Sequence, residues 1–324
     1  MLLGLHCPTF GWQVASASSH QRSDVQHICR ATLQSLPATS LRLRSGVILE
    51  VCRLQGPKGN NLPPLLFLHG SYHAAWCWQD KFLPYFNEAG FDVTAISLRG
   101  QGRSEVAPGQ KDGGTIRSHA DDLAEVISGM DQQPILISHS LGGLVAQRYV
   151  VRMEADEKER PALRGLALLC SMPPSGNNGT AGRIMRTTPL LGARLTWGFI
   201  TKSFLRSQTA CKEMFFCDDM PEAELARYQQ LFRTQAAKVP VVDVRSLNSN
   251  LPLPKPDSLA CPVLVVGSSN DRIVDEAGVR ETAAHFGSQP LMLPDLAHDL
   301  MLDTRWRSAA QRLEDWILKS VLKA

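Results

Sequence analysis

The chain has 324 residues, 44% hydrophobic and 20% charged, a composition that supports a buried core and excludes wholesale disorder. With 34 Lys and Arg against 31 Asp and Glu, the net charge is only +3 and gives no reason to expect nucleic acid as a partner. No apolar run reaches the roughly 18–20 residues needed to cross a bilayer, so no membrane span is expected. The eight cysteines form no C-x-x-C pair in a chain too large to need staples, and read as reduced thiols rather than disulfides or zinc ligands.

Residues 1–40 differ from the rest. They hold nine Ser and Thr, two Arg, three His and a single acid, Asp24, with no sustained period and with Pro8, Gly11 and Pro37 as breaks. Acid-poor, Ser-rich and Arg-bearing composition is that of an organelle transit peptide, and the Ser content points to plastid before mitochondrion. A secretory signal starting at Met1 fits less well, because His6, Cys7 and Pro8 interrupt an apolar stretch that no positive charge precedes. The plainer alternative is a disordered tail on a cytoplasmic protein.

From Leu41 the pattern becomes regular. Leu41–Arg44 and Val47–Arg53, around Ser45-Gly46, predict an antiparallel hairpin. Short apolar runs follow at Pro64–Leu68, Phe91–Ser97, Pro134–Ser138, Leu166–Cys170, Pro262–Gly267 and Pro290–Leu293, as strands buried on both faces would read. Helical patterns fall between them at Trp78–Ala89, Arg117–Met130, Leu141–Met153, Glu276–His285 and Arg305–Leu322. Strand alternating with helix predicts an α/β domain over 41–324 with a doubly wound, mostly parallel sheet. The long connection between Cys170 and Cys261 reads as an inserted helical cap over about 172–258, with helices at Gly192–Phe204 and Pro221–Val239.

The most informative stretch is Ser138-His139-Ser140-Leu141-Gly142, set between a strand and a helix. A tight strand-to-helix turn there presents the Ser140 hydroxyl above the sheet and needs small residues two positions to either side. Gly142 meets that need; Ser138 stands where glycine is usual and threatens added strain. A serine hydroxyl attacks only when a base takes its proton and a carboxylate orients the base. His298, in the loop between the last strand and the last helix, is the base that the chain order selects. His139 reads as a packing residue, His119 as a surface or capping one, and His69 as a turn residue bonding backbone. Asp271, after the preceding strand, is the acid; Asp275 reads as an arginine partner, and Asp299 and Asp303 adjoin the base too closely to support its ring. The His69-Gly70 turn and the helix start place the backbone N–H groups of Ser71 and Leu141 as an oxyanion hole.

With these motifs and Leu98-Arg-Gly-Gln-Gly-Arg-Ser104, the chain over Leu41–Leu322 resembles the α/β-hydrolase superfamily. His69-Gly-Ser-Tyr-His-Ala-Ala-Trp-Cys-Trp78 is similar to the plant methylesterase and hydroxynitrile lyase branch, whose lyases carry Thr where this chain has Gly70. The stretches from Asp218 and from His298 look instead like lysophospholipase-like hydrolases. The resemblance implies a serine esterase using Ser140, Asp271 and His298, without metal or organic cofactor, on a small or lipid ester. Cap residues 183–216 mix Arg and Lys with large apolar side chains against one acid, Glu213. The plain reading is a cap helix packed on the sheet; the sharper one is an acyl-chain contact or peripheral contact with an anionic membrane. The rival functional class is a slow or non-catalytic ligand sensor, for which Ser138 is the sequence support.

Overall fold

The structure, a computed structural model, describes residues 38–323 apart from 152, 154–159, 236–238, 257–258 and 260. The expected leader over residues 1–40 lies outside the described residues as far as residue 37. Strand β1, Ala38–Arg42, already pairs antiparallel with β2, Ile48–Leu54, so that Ala38 lies opposite Cys52. Thr39 donates its hydroxyl to the Val51 carbonyl.

Six further strands complete one eight-stranded sheet: β3 Leu65–Leu68, β4 Val93–Ile96, β5 Ile135–His139, β6 Gly165–Leu169, β7 Val263–Ser268 and β8 Pro290–Leu293. Their spatial order is β1-β2-β4-β3-β5-β6-β7-β8, with the β1–β2 and β2–β4 pairings antiparallel and the remaining five parallel. Every residue of β3, β4, β5 and β6 is buried, as their unbroken apolar runs require. The core helices are α1 Trp76–Gln79, α2 Phe82–Glu88, α3 Ile116–Ser128 and α4 Ser140–Val150. The expected Trp78–Ala89 helix is thus two pieces. Asp80 and Lys81 break it by reaching away, Asp80 to Arg227 and Tyr228 and Lys81 to the Leu302 carbonyl.

The cap between β6 and β7 holds more helix than the two expected segments: α5 Asn178–Thr187, α6 Pro189–Thr201, α7 Gln208–Phe215, α8 Glu222–Gln235 and α9 Val244–Ser249. Gly179 and Gly182 hide α5 from sequence reasoning by diluting its helical propensity. The described chain closes with α10 Glu276–His285 and α11 Trp306–Trp316, the latter running on as a wider turn through Val321. His119 is corrected from surface to core. It is fully buried on α3 and its Nε2–H donates to the Val241 carbonyl at 2.7 Å. No described helix is long and apolar enough to cross a membrane.

Candidate active site

Strand β5 passes into α4 without a linker, and the turn holds Ser140 at φ +53°. A left-handed conformation costs a non-glycine residue on the order of 1–3 kcal/mol, so the surroundings must enforce it. Two glycines do so. A Cβ on Gly142 would lie 2.3 Å from the His69 carbonyl oxygen, and one on Gly70 would lie 2.6 Å from the Ser140 Cβ. Their bare backbones let the start of α4 press onto the end of β3. Ser138 is buried, keeps an ordinary φ, and donates its hydroxyl to the Ala167 carbonyl at 3.3 Å. The hydroxyl that replaces the usual glycine hydrogen therefore has a partner, and the left-handed strain of the turn falls on Ser140.

The structure brings Ser140, His298 and Asp271 together. His298 Nε2 lies 3.0 Å from Ser140 Oγ and His298 Nδ1 lies 2.8 Å from Asp271 Oδ2. Asp271 Oδ1 accepts from the N–H groups of Ile273 at 2.7 Å and Val274 at 2.9 Å, which fixes the carboxylate plane. Burial works against charge on His298, but the Asp271 carboxylate, its hydrogen bond and the nearby Asp299 outweigh it, so the imidazole pKa is raised above 6.5. In this tautomer Nδ1–H points to the acid and Nε2 is free to take the Ser140 proton. Asp275, the rival acid, pairs with Arg183 and caps α10.

Sequence reasoning missed a second histidine–carboxylate pair beside the first. His73 Nε2 and Asp299 Oδ2 lie 2.8 Å apart, both fully buried, and His73 Nδ1 lies 2.8 Å from the Ser71 carbonyl. A carbonyl only accepts, so Nδ1–H donates to Ser71 and Nε2 is left facing the Asp299 carboxylate. The pair fixes the Ser71 peptide by its oxygen. Its partners are 226 residues apart, so no local spacing announces it. His139 packs as expected, and it also donates Nε2–H to the His298 carbonyl at 3.0 Å. His69 donates from Nδ1 to the Gly70 carbonyl and accepts the Leu98 N–H on Nε2 at 2.9 Å.

Burial holds His69 down to about 3 and His119 to about 4, and it also depresses His139 well below 6.5. Unfolded, each would protonate near 6.5, so below that pH the unfolded chain binds protons that the folded chain refuses. Stability is then fully present above pH 6.5 and is lost as pH falls towards 4, by at most about 1.4 kcal/mol per pH unit for each histidine. His298 has the opposite sign, its contribution fading as pH rises through its raised pKa. Urea midpoints at pH 7.5, 6.5, 5.5 and 4.5 should decline steeply over the last two steps; a flat series would contradict neutral buried histidines.

The N–H groups of Ser71 and Leu141 have no acceptor among the described residues, and the Gly70 contact sets the first beside the nucleophile. Over this turn sits the cap. Phe204, Phe215 and Phe232 pack with His73 and Tyr72 at ring separations of 4.9–5.9 Å. The Met172 N–H bonds the Ser140 carbonyl and the Asp299 N–H bonds the Phe215 carbonyl, each at 3.0 Å, so cap and site share backbone bonds. Among the described residues, three groupings of His, Cys and Asp lie close enough to suggest a metal. Two use His298, whose nitrogens already face Asp271 and Ser140. In the third, Asp219 pairs with Arg305 and Asp303 Oδ2 accepts two backbone N–H groups. Their donors are committed, and no metal centre is assigned.

A family model described as the alpha/beta hydrolase family matches residues 65–312. The chain belongs to the α/β-hydrolase family. Methylesterase 7 of Arabidopsis thaliana is 32% identical over 90 residues, 27% of this chain and 34% of that protein. Norfluorocurarine synthase 1 of a Strychnos species is 30% identical over 92 residues, 28% of this chain and 34% of that protein. The matched stretch thus spans about a third of these relatives' length. Among solved structures, an esterase from Exiguobacterium antarcticum superposes with a TM-score of 0.64 at 16% identity, covering 87% of this α/β hydrolase and all of that chain. An enol-lactonase from Burkholderia xenovorans gives 0.59 at 19%, covering 87% and all of that chain. At such identities the likeness is one of fold.

Proposed function

We propose that this α/β hydrolase cleaves a carboxylic ester through an acyl-enzyme formed on Ser140. The observation that carries the reading is the unbroken chain from Ser140 Oγ through His298 to a carboxylate fixed by two backbone N–H groups. Ser140 Oγ attacks the ester carbonyl as His298 Nε2 takes its proton, and the imidazolium formed faces the Asp271 carboxylate. The N–H groups of Ser71 and Leu141 receive the oxyanion, each such donor supplying roughly 2.7–4 kcal/mol. His298 then protonates the leaving alkoxide. Water, deprotonated by the same nitrogen, attacks the acyl-enzyme and releases the acid.

The aromatic seat of the cap favours a hydrophobic ester, and the partial identity to proteins named methylesterases supports a small alcohol leaving group. A sensor without turnover would draw on strain at Ser138, and that residue is hydrogen-bonded at an ordinary φ. The test is a fluorophosphonate labelling time course on the wild type and Ser140→Ala, beside p-nitrophenyl esters of increasing chain length. Fast labelling that disappears in Ser140→Ala is expected. A folded wild type that neither labels nor turns over any ester would overturn the proposal.

A further inference from the structure

Helix α6 has two apolar faces. Leu195 is buried, and Phe199 lies on the inner side with its ring 6.1 Å from that of Tyr72. On the outside, Leu190 is 78% exposed, Trp197 65% and Ile200 73%. At about 100° per residue these three fall within roughly 80° of arc, opposite Leu195 and Phe199. The unpartnered stripe is therefore one continuous surface and not three scattered side chains.

The charged residues that flank the stripe along the chain are basic, with a single acid among them. Arg194 is the sole charged residue of α6, and Arg186 precedes the helix while Lys202 and Arg206 follow it. Arg206 bonds the Thr201 carbonyl and so stands at the end of the stripe. The one acid within 183–216, Glu213, is tied to Arg194. Among the described residues Arg186 and Arg206 pair with no carboxylate, whereas Lys202 turns inward, its Nζ 6.0 Å from the Tyr72 ring. A second copy meeting this face about a two-fold axis would set these cations against one another. A surface that is apolar beneath and anionic above satisfies both features, and tryptophan beside basic residues suits the headgroup boundary.

We infer that the outer face of α6 docks the protein on an anionic phospholipid bilayer, with Leu190, Trp197 and Ile200 entering the headgroup boundary and the flanking basic residues meeting lipid phosphates. Docking needs no turnover, so it stands or falls separately from the ester-cleaving reading. The full chain should co-sediment with vesicles of phosphatidylcholine and phosphatidylglycerol at 7:3, at least tenfold more tightly than with phosphatidylcholine alone. Raising salt from 0.1 to 0.5 M should weaken the binding.

The Trp197→Glu/Ile200→Glu double variant should lose binding at least tenfold while keeping its thermal melt and its fluorophosphonate labelling. The Ser140→Ala variant should bind like the wild type. Binding that the double variant retains would assign it to another segment and overturn the inference. So would no binding by the wild type, or a wild-type dimer that the double variant converts to monomer without any vesicle binding. Should the double variant fail to fold, Arg186→Glu/Arg206→Glu repeats the test from the charged rim.

Discussion

Replacing Asp271 by Asn is expected to leave the fold intact and to lower kcat for a p-nitrophenyl ester by on the order of 10⁴. The size follows from how the carboxylate is held. Oδ1 accepts two backbone N–H groups, from Ile273 and Val274. An asparagine must therefore turn its oxygen to them and present its NH₂ to His298. Nδ1 then becomes an acceptor, the proton moves to Nε2, and the nitrogen facing Ser140 can no longer take a proton. Loss of the Asp271 charge also removes the main force raising the His298 pKa, so the rising limb of the pH–activity profile should move to lower pH. Activity within tenfold of wild type would remove Asp271 from its proposed role.

Gly142→Ala should be damaging by another route, though less so. The new Cβ would meet the His69 carbonyl oxygen at 2.3 Å and the Leu68 carbonyl oxygen at 3.0 Å, and neither backbone atom can swing aside. Relief requires α4 to back away from β3, at about 1–3 kcal/mol of overpacking. That movement carries Ser140 and the Leu141 N–H with it, and a displacement near 1 Å costs roughly 100-fold in rate. The comparison is Gly182→Ala in α5, where a Cβ meets nothing within 4 Å. That variant should gain up to about 1 kcal/mol from helix propensity and label normally. Urea midpoints and fluorophosphonate labelling rates on the two variants check the contrast; equal behaviour would mean that the Gly142 contact is not what sets the turn.

Much of this was legible because buried parallel strands write themselves as unbroken apolar runs. The runs at Pro64–Leu68, Pro134–Ser138 and Leu166–Cys170 coincide with β3, β5 and β6 to within about a residue. That Ser140, Asp271 and His298 lie within hydrogen-bond reach of one another was legible through their places after particular strands. The His73–Asp299 pair was not, since each residue looks ordinary locally and only the sheet brings them together. His119 misread because two carboxylates follow it closely; Asp121 is exposed, but Asp122 is buried on the same face as His119 and pairs with Arg99, while the ring bonds the Val241 carbonyl. The basic and apolar mixture in the cap read as a single stripe. In three dimensions it divides, with Leu195 and Phe204 inward and Leu190, Trp197 and Ile200 outward.

The backbone bonds from Met172 to Ser140 and from Phe215 to Asp299 tie the insertion to the elbow on one side and to the base's own loop on the other. A lid hinged at its two ends could swing away and leave the chemistry behind it intact. Lifting this one breaks the bond between the Phe215 carbonyl and the N–H of Asp299, the residue next to His298. The insertion and the sheet then form one cooperative unit.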